Sequence, residues 1–171
     1  INFSFPMLEN KSLISCNSIF KCTSSSSTGW KDGTSFKIST NTTNKTWSSI
    51  YGKEIDVKKN KAFKLVAHMK INKWATESHV VLEGFNKTAK HWNQIKYCSP
   101  LTDAPLEWQE YSCIYTVPDK ITKIRPVLNA GWSSQPGKEA TTWYDSVYVI
   151  DLGKTFVIDP NLKIELVASG L

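Results

Sequence analysis

The sequence predicts an all-β protein, a two-sheet antiparallel β-sandwich, and three observations carry that expectation. In "AFKLVAHMKI" the residues Phe63, Leu65, Ala67, Met69 and Ile71 share one face, while Lys64, Val66, His68 and Lys70 share the other. That is the period of two of a half-buried strand. Further β-rich runs follow at short, regular spacing, separated by turn-type segments such as "NKTAK", "PDK" and "SSQPGKEA". No stretch shows a competing helical period.

Taken in order, "SFKIST" (35–40) and "KEIDV" (53–57) are the first two strands, and 62–71 is the third. "SHVVLEGF" (78–85), "HWNQIKYC" (91–98), "WQEYSCIYTV" (108–117), "ITKIRPVLNA" (121–130) and "TTWYDSVYVI" (141–150) complete the set. Strands of this length bury their apolar faces by packing one sheet on another. The Ser-rich "CTSSSSTGW" reads as an irregular surface segment. "DVKKNKAFK", the densest basic cluster, reads as a solvated strand edge and turn.

With 171 residues, 40% hydrophobic and 21% charged, the chain has the length and apolar content of one domain with a full core. The sandwich is expected over 1–152, with 153–171 as a tail, an extra strand or a linker. No apolar run is long enough to cross a bilayer, so this segment is not expected to insert into a membrane. It begins at Ile1 without the basic flank and cleavage site of a signal peptide, and reads as part of a larger multidomain protein. The net charge of +6 favours anionic partners, but the lysines are scattered and form no nucleic-acid groove.

The four cysteines fall in two local pairs, Cys16 with Cys22 and Cys98 with Cys113. Neither pair has the two-residue spacing of a zinc knuckle or redox motif, so disulfides are expected, and with them an extracellular or cell-surface location. Sequons at Asn2, Asn10, Asn41, Asn44 and Asn86 agree as candidate glycosylation sites.

Three pieces of the chain carry a resemblance. Gly33, Ser35, Phe36 and Lys37 form a Gly-X-Ser-aromatic-Lys strand opening; Trp108, Tyr111, Val117 and Pro118 form a Trp-X-X-Tyr strand followed by Val-Pro; Tyr144, Asp145 and Val147 form an aromatic-Asp-X-Val closing strand. In this order and spacing, over 30–150, the chain resembles carbohydrate-binding modules of families four, nine and twenty-two. The resemblance implies a galactose-binding-like jelly roll, an oligo- or polysaccharide partner and one structural calcium ion. Asp145, with Asp32 as a second acid, would be its ligands, since calcium takes six to eight oxygens. The opening "NFSFP" departs from the pattern, with Pro6 where the family carries a glutamate. The alternative for Asp145 is a hydrogen bond to backbone at the sheet end.

A sugar site needs flat aromatic platforms and polar side chains that hydrogen-bond in pairs. Trp47, Trp74 and Trp132 lie beside Asn, Thr, Ser and Gly and are the candidate platforms; the alternative is a loop indole folded over the sandwich rim. Trp108 and Trp143 sit inside strands and read as core, whereas Trp30 and Trp92 stay undecided. Strand alternation offers His68, Glu83, Arg125 and Asn129 as one polar sheet face, or else an ordinary solvated face with an Arg–Glu pair. His79 and His91 read as lone surface histidines. No nucleophile elbow, zinc-protease, P-loop or dinucleotide motif is present, and no pair of acids is singled out for glycoside hydrolysis. The expected function is non-catalytic glycan binding. The rival is a sandwich that mediates protein contacts in a membrane-anchored surface protein.

Overall fold

The computed structural model describes residues 4–6, 18–25, 29–31, 35–100 and 105–154. Its strands are β1 (Ser4–Pro6), β2 (Lys21–Ser25), β3 (Ser35–Thr40), β4 (Ser48–Tyr51), β5 (Ile55–Asp56), β6 (Lys61–Ile71), β7 (His79–Asn86), β8 (His91–Tyr97), β9 (Gln109–Thr116), β10 (Ile121–Ala130) and β11 (Ala140–Lys154). They form two antiparallel sheets. The first runs β2-β3-β11-β6-β9, with β1 also on β11; the second runs β4-β10-β7-β8, with β5 also on β10. Among the described residues no helix is long and apolar enough to cross a membrane.

The two inner faces supply the core. Leu65, Ala67 and Met69 of β6 meet Val80 and Leu82 of β7 and Ile124 and Leu128 of β10 in one buried cluster, as the period of two requires. Tyr144 of β11 is fully buried within it and donates its hydroxyl proton to the carbonyl of Asn129 in the opposite sheet, 2.5 Å away. The two sheets are thus fixed against each other by a polar contact in an apolar setting. Cys98, just after β8, is joined by a disulfide to Cys113 of β9. The bond is a second tie between sheets, and closing its loop is worth about 3 kcal/mol on the chain-entropy estimate.

Several sequence expectations need correction. Part of the Ser-rich segment is not irregular: Cys22–Ser25 belong to β2 and pair with β3. The four-residue β4 carries one core side chain, Ile50, too few to show an alternation. Within "DVKKNKAFK" the residues 58–60 do turn, with Asn60 at φ 63°, but Lys61 and Lys64 stand in β6, an interior strand between β11 and β9. Lys61 is held there by Asp151 at 2.7 Å. The closing strand continues to Lys154, two residues beyond the expected domain end; residues 155–171 of the expected tail lie outside the described residues.

The register of β11 shifts between Asp145 and Tyr148, and Ser146 takes φ 49° there. The extra residue of this bulge keeps Tyr144, Val147 and Val149 inward and turns Asp145 outward. Gly131, just past β10, lies so close to the 72–78 loop that a Cβ there would stand 1.8 Å from the Thr76 carbonyl oxygen. Only glycine permits that approach.

Candidate functional site

Strand alternation in the second sheet turns Ile50, Val80, Leu82, Ile124 and Leu128 inward. The residues between them must face outward. Register then sets three rows across the outer face: Ser49–Asn129–His79, Tyr51–Val127–Val81–Tyr97, and Arg125–Glu83–Gln94. Val127 and Val81 are buried on this outer side, whereas Tyr51 and Tyr97 at the two ends of their row are 53% and 46% exposed. The result is a strip with a low apolar floor and a phenol at each edge, three strand spacings or about 14 Å across.

Arg125 organises the middle. Its Nε and Nη2 both donate to Glu83 Oε2, at 2.9 and 2.8 Å, and its guanidinium carbon lies 4.2 Å from the Tyr51 ring centroid and 4.1 Å from that of Trp92. A planar cation between two rings holds both by cation–π attraction. Trp92 also contacts Phe85, with centroids 5.5 Å apart, and the Tyr97 hydroxyl donates to Gln94 Oε1. The remaining Glu83 oxygen, the Gln94 amide nitrogen and the sides of the Tyr51 and Tyr97 rings turned away from Arg125 and His79 are left to offer acceptors, donors and apolar platforms to a polyhydroxylated chain.

Glu83, Arg125 and Asn129 therefore come together on one face, as alternation predicts, but His68 does not join them. It belongs to β6 in the first sheet, because β6 and β7 cross from one sheet to the other. There it is buried beneath the indole of Trp30, stacked at 4.6 Å, with Nε2 3.4 Å from Glu110. His79 is no lone surface histidine: it is buried, with Nδ1 on the Glu77 carbonyl and Nε2 facing the Asn129 amide. Burial pushes both histidines below their ordinary range. His91 is exposed.

The expected tryptophan platforms gather at the sandwich rim, off the strip. Trp132 is buried, its ring edge-on to Trp47 at 5.6 Å, and its backbone carbonyl accepts the Thr76 hydroxyl at 2.8 Å. It is not a platform. Trp47 is 45% exposed, and Trp74 is half-buried with Lys73 and Lys138 over its ring. Trp108 and Trp143 are not core; they flank Lys70 on the outer face of the first sheet, at 5.3 and 5.1 Å. Trp92, undecided from the sequence, joins the strip, and so do Tyr51 and Tyr97, which no sequence pattern singles out. Alternation in "HWNQIKYC" could have flagged Trp92 beside Gln94, but Tyr51 sits in a strand with no readable pattern.

Asp145 takes the alternative reading. Its Oδ2 accepts the Trp30 backbone N–H at 2.6 Å, and its Oδ1 accepts the Ser146 hydroxyl at 3.1 Å. Calcium takes six to eight oxygens, but here one carboxylate faces N–H and O–H donors, and among the described residues no group of three His, Cys, Asp or Glu side chains could hold a metal. The residues described around Asp145 do not fit calcium. Asp32 lies outside the described residues, as do Cys16, Asn2 and Asn10; Cys22 is disulfide-bonded. Asn41 and Asn44 are exposed, and Asn86 caps its turn through Oδ1 to the N–H groups of Thr88 and Ala89.

No protein-family model matches this chain, and no curated protein matches it. Solved structures do. The CBM22-1 xylan-binding domain from Paenibacillus barcinonensis Xyn10C aligns over 91% of this chain and 95% of its own, with TM-score 0.56 and 10% identity. The CBM22-2 xylan-binding domain of the same enzyme covers 90% and 99%, with TM-score 0.56 and 16% identity. The CBM22-1–GH10 modules of Clostridium thermocellum xylanase 10B, complexed with xylohexaose, match over 79% of this chain at TM-score 0.56 and 14% identity, and this chain spans 25% of that one. At such identities the likeness establishes the fold, a jelly-roll β-sandwich of the kind found in carbohydrate-binding modules.

Proposed function

We propose that this domain is a non-catalytic carbohydrate-binding module whose site is the strip between Tyr51 and Tyr97. The observation that carries the reading is the pair of exposed phenols at the edges of one sheet face, with the Arg125–Glu83 pair fixed between them. Apolar C–H faces of sugar rings stack on Tyr51 and Tyr97, and hydroxyls pair with Glu83 and Gln94. Matched modules are named for xylan binding, so an extended, uncharged polysaccharide such as xylan is the first ligand to test. Glu83 is held by two Arg125 N–H groups, which makes it a hydrogen-bond acceptor in place of a catalytic acid. The disulfide supports an oxidising, extracellular setting, in which a binding module would serve a larger protein.

Titration calorimetry with xylohexaose, backed by affinity electrophoresis in xylan and other neutral polysaccharides, tests the reading. Binding by the wild-type domain and its loss, by more than about tenfold, in Tyr51→Ala and Tyr97→Ala is expected; a tenfold loss equals 1.4 kcal/mol. Silence across the whole panel, or binding untouched by both substitutions, overturns it.

A further inference from the structure

Beside the aromatic strip, four groups are joined in series. Ser49 Oγ donates to Asn129 Oδ1, Asn129 Nδ2 donates to His79 Nε2 at 2.9 Å, and His79 Nδ1 donates to the Glu77 carbonyl at 2.8 Å. Chemistry sets the direction. A backbone carbonyl only accepts, so Nδ1 carries the proton, Nε2 is bare, and the Asn129 amide donates to it. The amide oxygen is then left for Ser49. His79 and Asn129 are 4% and 3% exposed, and the Tyr97 ring lies against the imidazole at 5.6 Å. From the other side, the Tyr144 hydroxyl holds the Asn129 carbonyl at 2.5 Å and stands 3.3 Å from that of His79, so the two strands cannot slide to adapt.

We propose that His79 is a positioning residue of the glycan face, and that its protonation on acidification reverses the Ser49–Asn129–His79 chain and releases the ligand. This rests on the carbohydrate reading above. One proton from solvent joins Nε2, and no covalent bond breaks. The new N–H then points at the Asn129 amide, donor against donor. Asn129 satisfies it by turning its amide over, which presents NH2 to Ser49 and forces that hydroxyl to accept and to aim its own proton elsewhere. The groups facing the imidazole are Asn129 of β10 (with Ser49 of β4 behind it), the Tyr97 phenol of β8, the Tyr144 phenol of β11 at its backbone, and the Glu77 carboxylate two residues back. Burial opposes the cation and Glu77 favours it; burial wins, so the change falls below the ordinary histidine range. A cation then stands beneath Tyr97, one edge of the strip.

The experiment follows xylohexaose affinity by calorimetry at about pH 7.5 and about pH 5, in the wild type and in His79→Gln, alongside nitrogen NMR of His79 and of the Asn129 amide without ligand. Expected are a wild-type affinity that is lost in step with the protonation of His79, and a His79→Gln affinity that changes far less. The Asn129 amide resonances should move with the His79 titration while the fold stays intact. An identical pH dependence in both proteins overturns the proposal, as does an Asn129 amide indifferent to His79 protonation. Absence of wild-type binding at about pH 7.5 sinks the carbohydrate reading and ligand release with it, and the NMR titration then decides the relay alone. If His79→Gln does not fold, the wild-type NMR titration decides: movement of the Asn129 amide with His79 supports the relay, and its absence overturns it.

Discussion

Arg125 and Glu83 stand directly opposite each other on β10 and β7, and one carboxylate oxygen of Glu83 receives two N–H groups of the guanidinium. Their side chains are 17% and 13% exposed, so the pair is largely withdrawn from water. Removing one partner leaves the other charge poorly solvated. Arg125→Ala is expected to cost on the order of 3 kcal/mol in a denaturant titration and to free Tyr51 and Trp92 from their shared cation. Arg125→Lys should retain part of the stability but weaken glycan binding, because an ammonium cannot lie flat between two rings. Equal stability and binding in Arg125→Lys and the wild type would show that the stacked geometry is unimportant.

A second prediction concerns the tie between the sheets. Tyr144→Phe keeps the buried ring and deletes the hydroxyl that meets the Asn129 carbonyl. A loss of about 1 kcal/mol is expected, the net worth of one hydrogen bond, measured as a shifted urea midpoint with an unchanged slope. Because Asn129 belongs to the His79 chain, the variant should also loosen the site; hydrogen exchange at residues 79 and 129 checks this. No change in either measurement would mean the hydroxyl is only a passenger.

The rim offers a third. Gly131→Ala places a methyl group 1.8 Å from the Thr76 carbonyl oxygen, so the 72–78 loop must move. Overpacking of this kind costs about 1–3 kcal/mol, seen as a lower melting temperature. Thr76 also holds Trp132 through its hydroxyl, so the indole should become more exposed and the tryptophan emission should shift to longer wavelength. An unshifted spectrum and melting temperature would contradict the close approach.

The parts of this molecule that were legible in its sequence are those with enough residues to display a period. β6 shows five inward apolar side chains over eleven residues, and β10 separates Ile124 and Leu128 from Arg125 and Asn129 in the same way. β4, where Ile50 is the one apolar residue turned inward beside a buried Ser48, and β2, with a serine-rich strand paired on one side, show none. For the site, alternation could say that Glu83 and His68 each face away from the core, but not on which side of it. Sheet membership is decided by long-range pairing, and β6 and β7, neighbours in sequence, belong to different sheets. The tryptophans misled for a related reason: polar neighbours mark a loop, but whether a loop indole stands in water depends on what that loop packs against, and Trp132 packs against Trp47 and the Thr76 loop.

The last prediction follows from the two buried histidines. Burial holds His79 below its usual range against the pull of Glu77, and holds His68 below it against Glu110 and Asp145, with Lys31 acting in the same direction as burial. A group whose folded pKa is depressed binds fewer protons in the native state than in the unfolded chain, so acid favours unfolding. The stability at stake is therefore fully present above the unfolded value of about 6.5 and is lost as pH falls below it, until the folded histidines protonate in turn. Thermal melts should show a falling midpoint from about pH 7 towards about pH 5. Replacing both with glutamine, which is uncharged at every pH, should lower stability at neutral pH and flatten that slope. A wild-type midpoint constant across the window, or an equal slope in the double variant, would show that neither imidazole is held neutral by the fold.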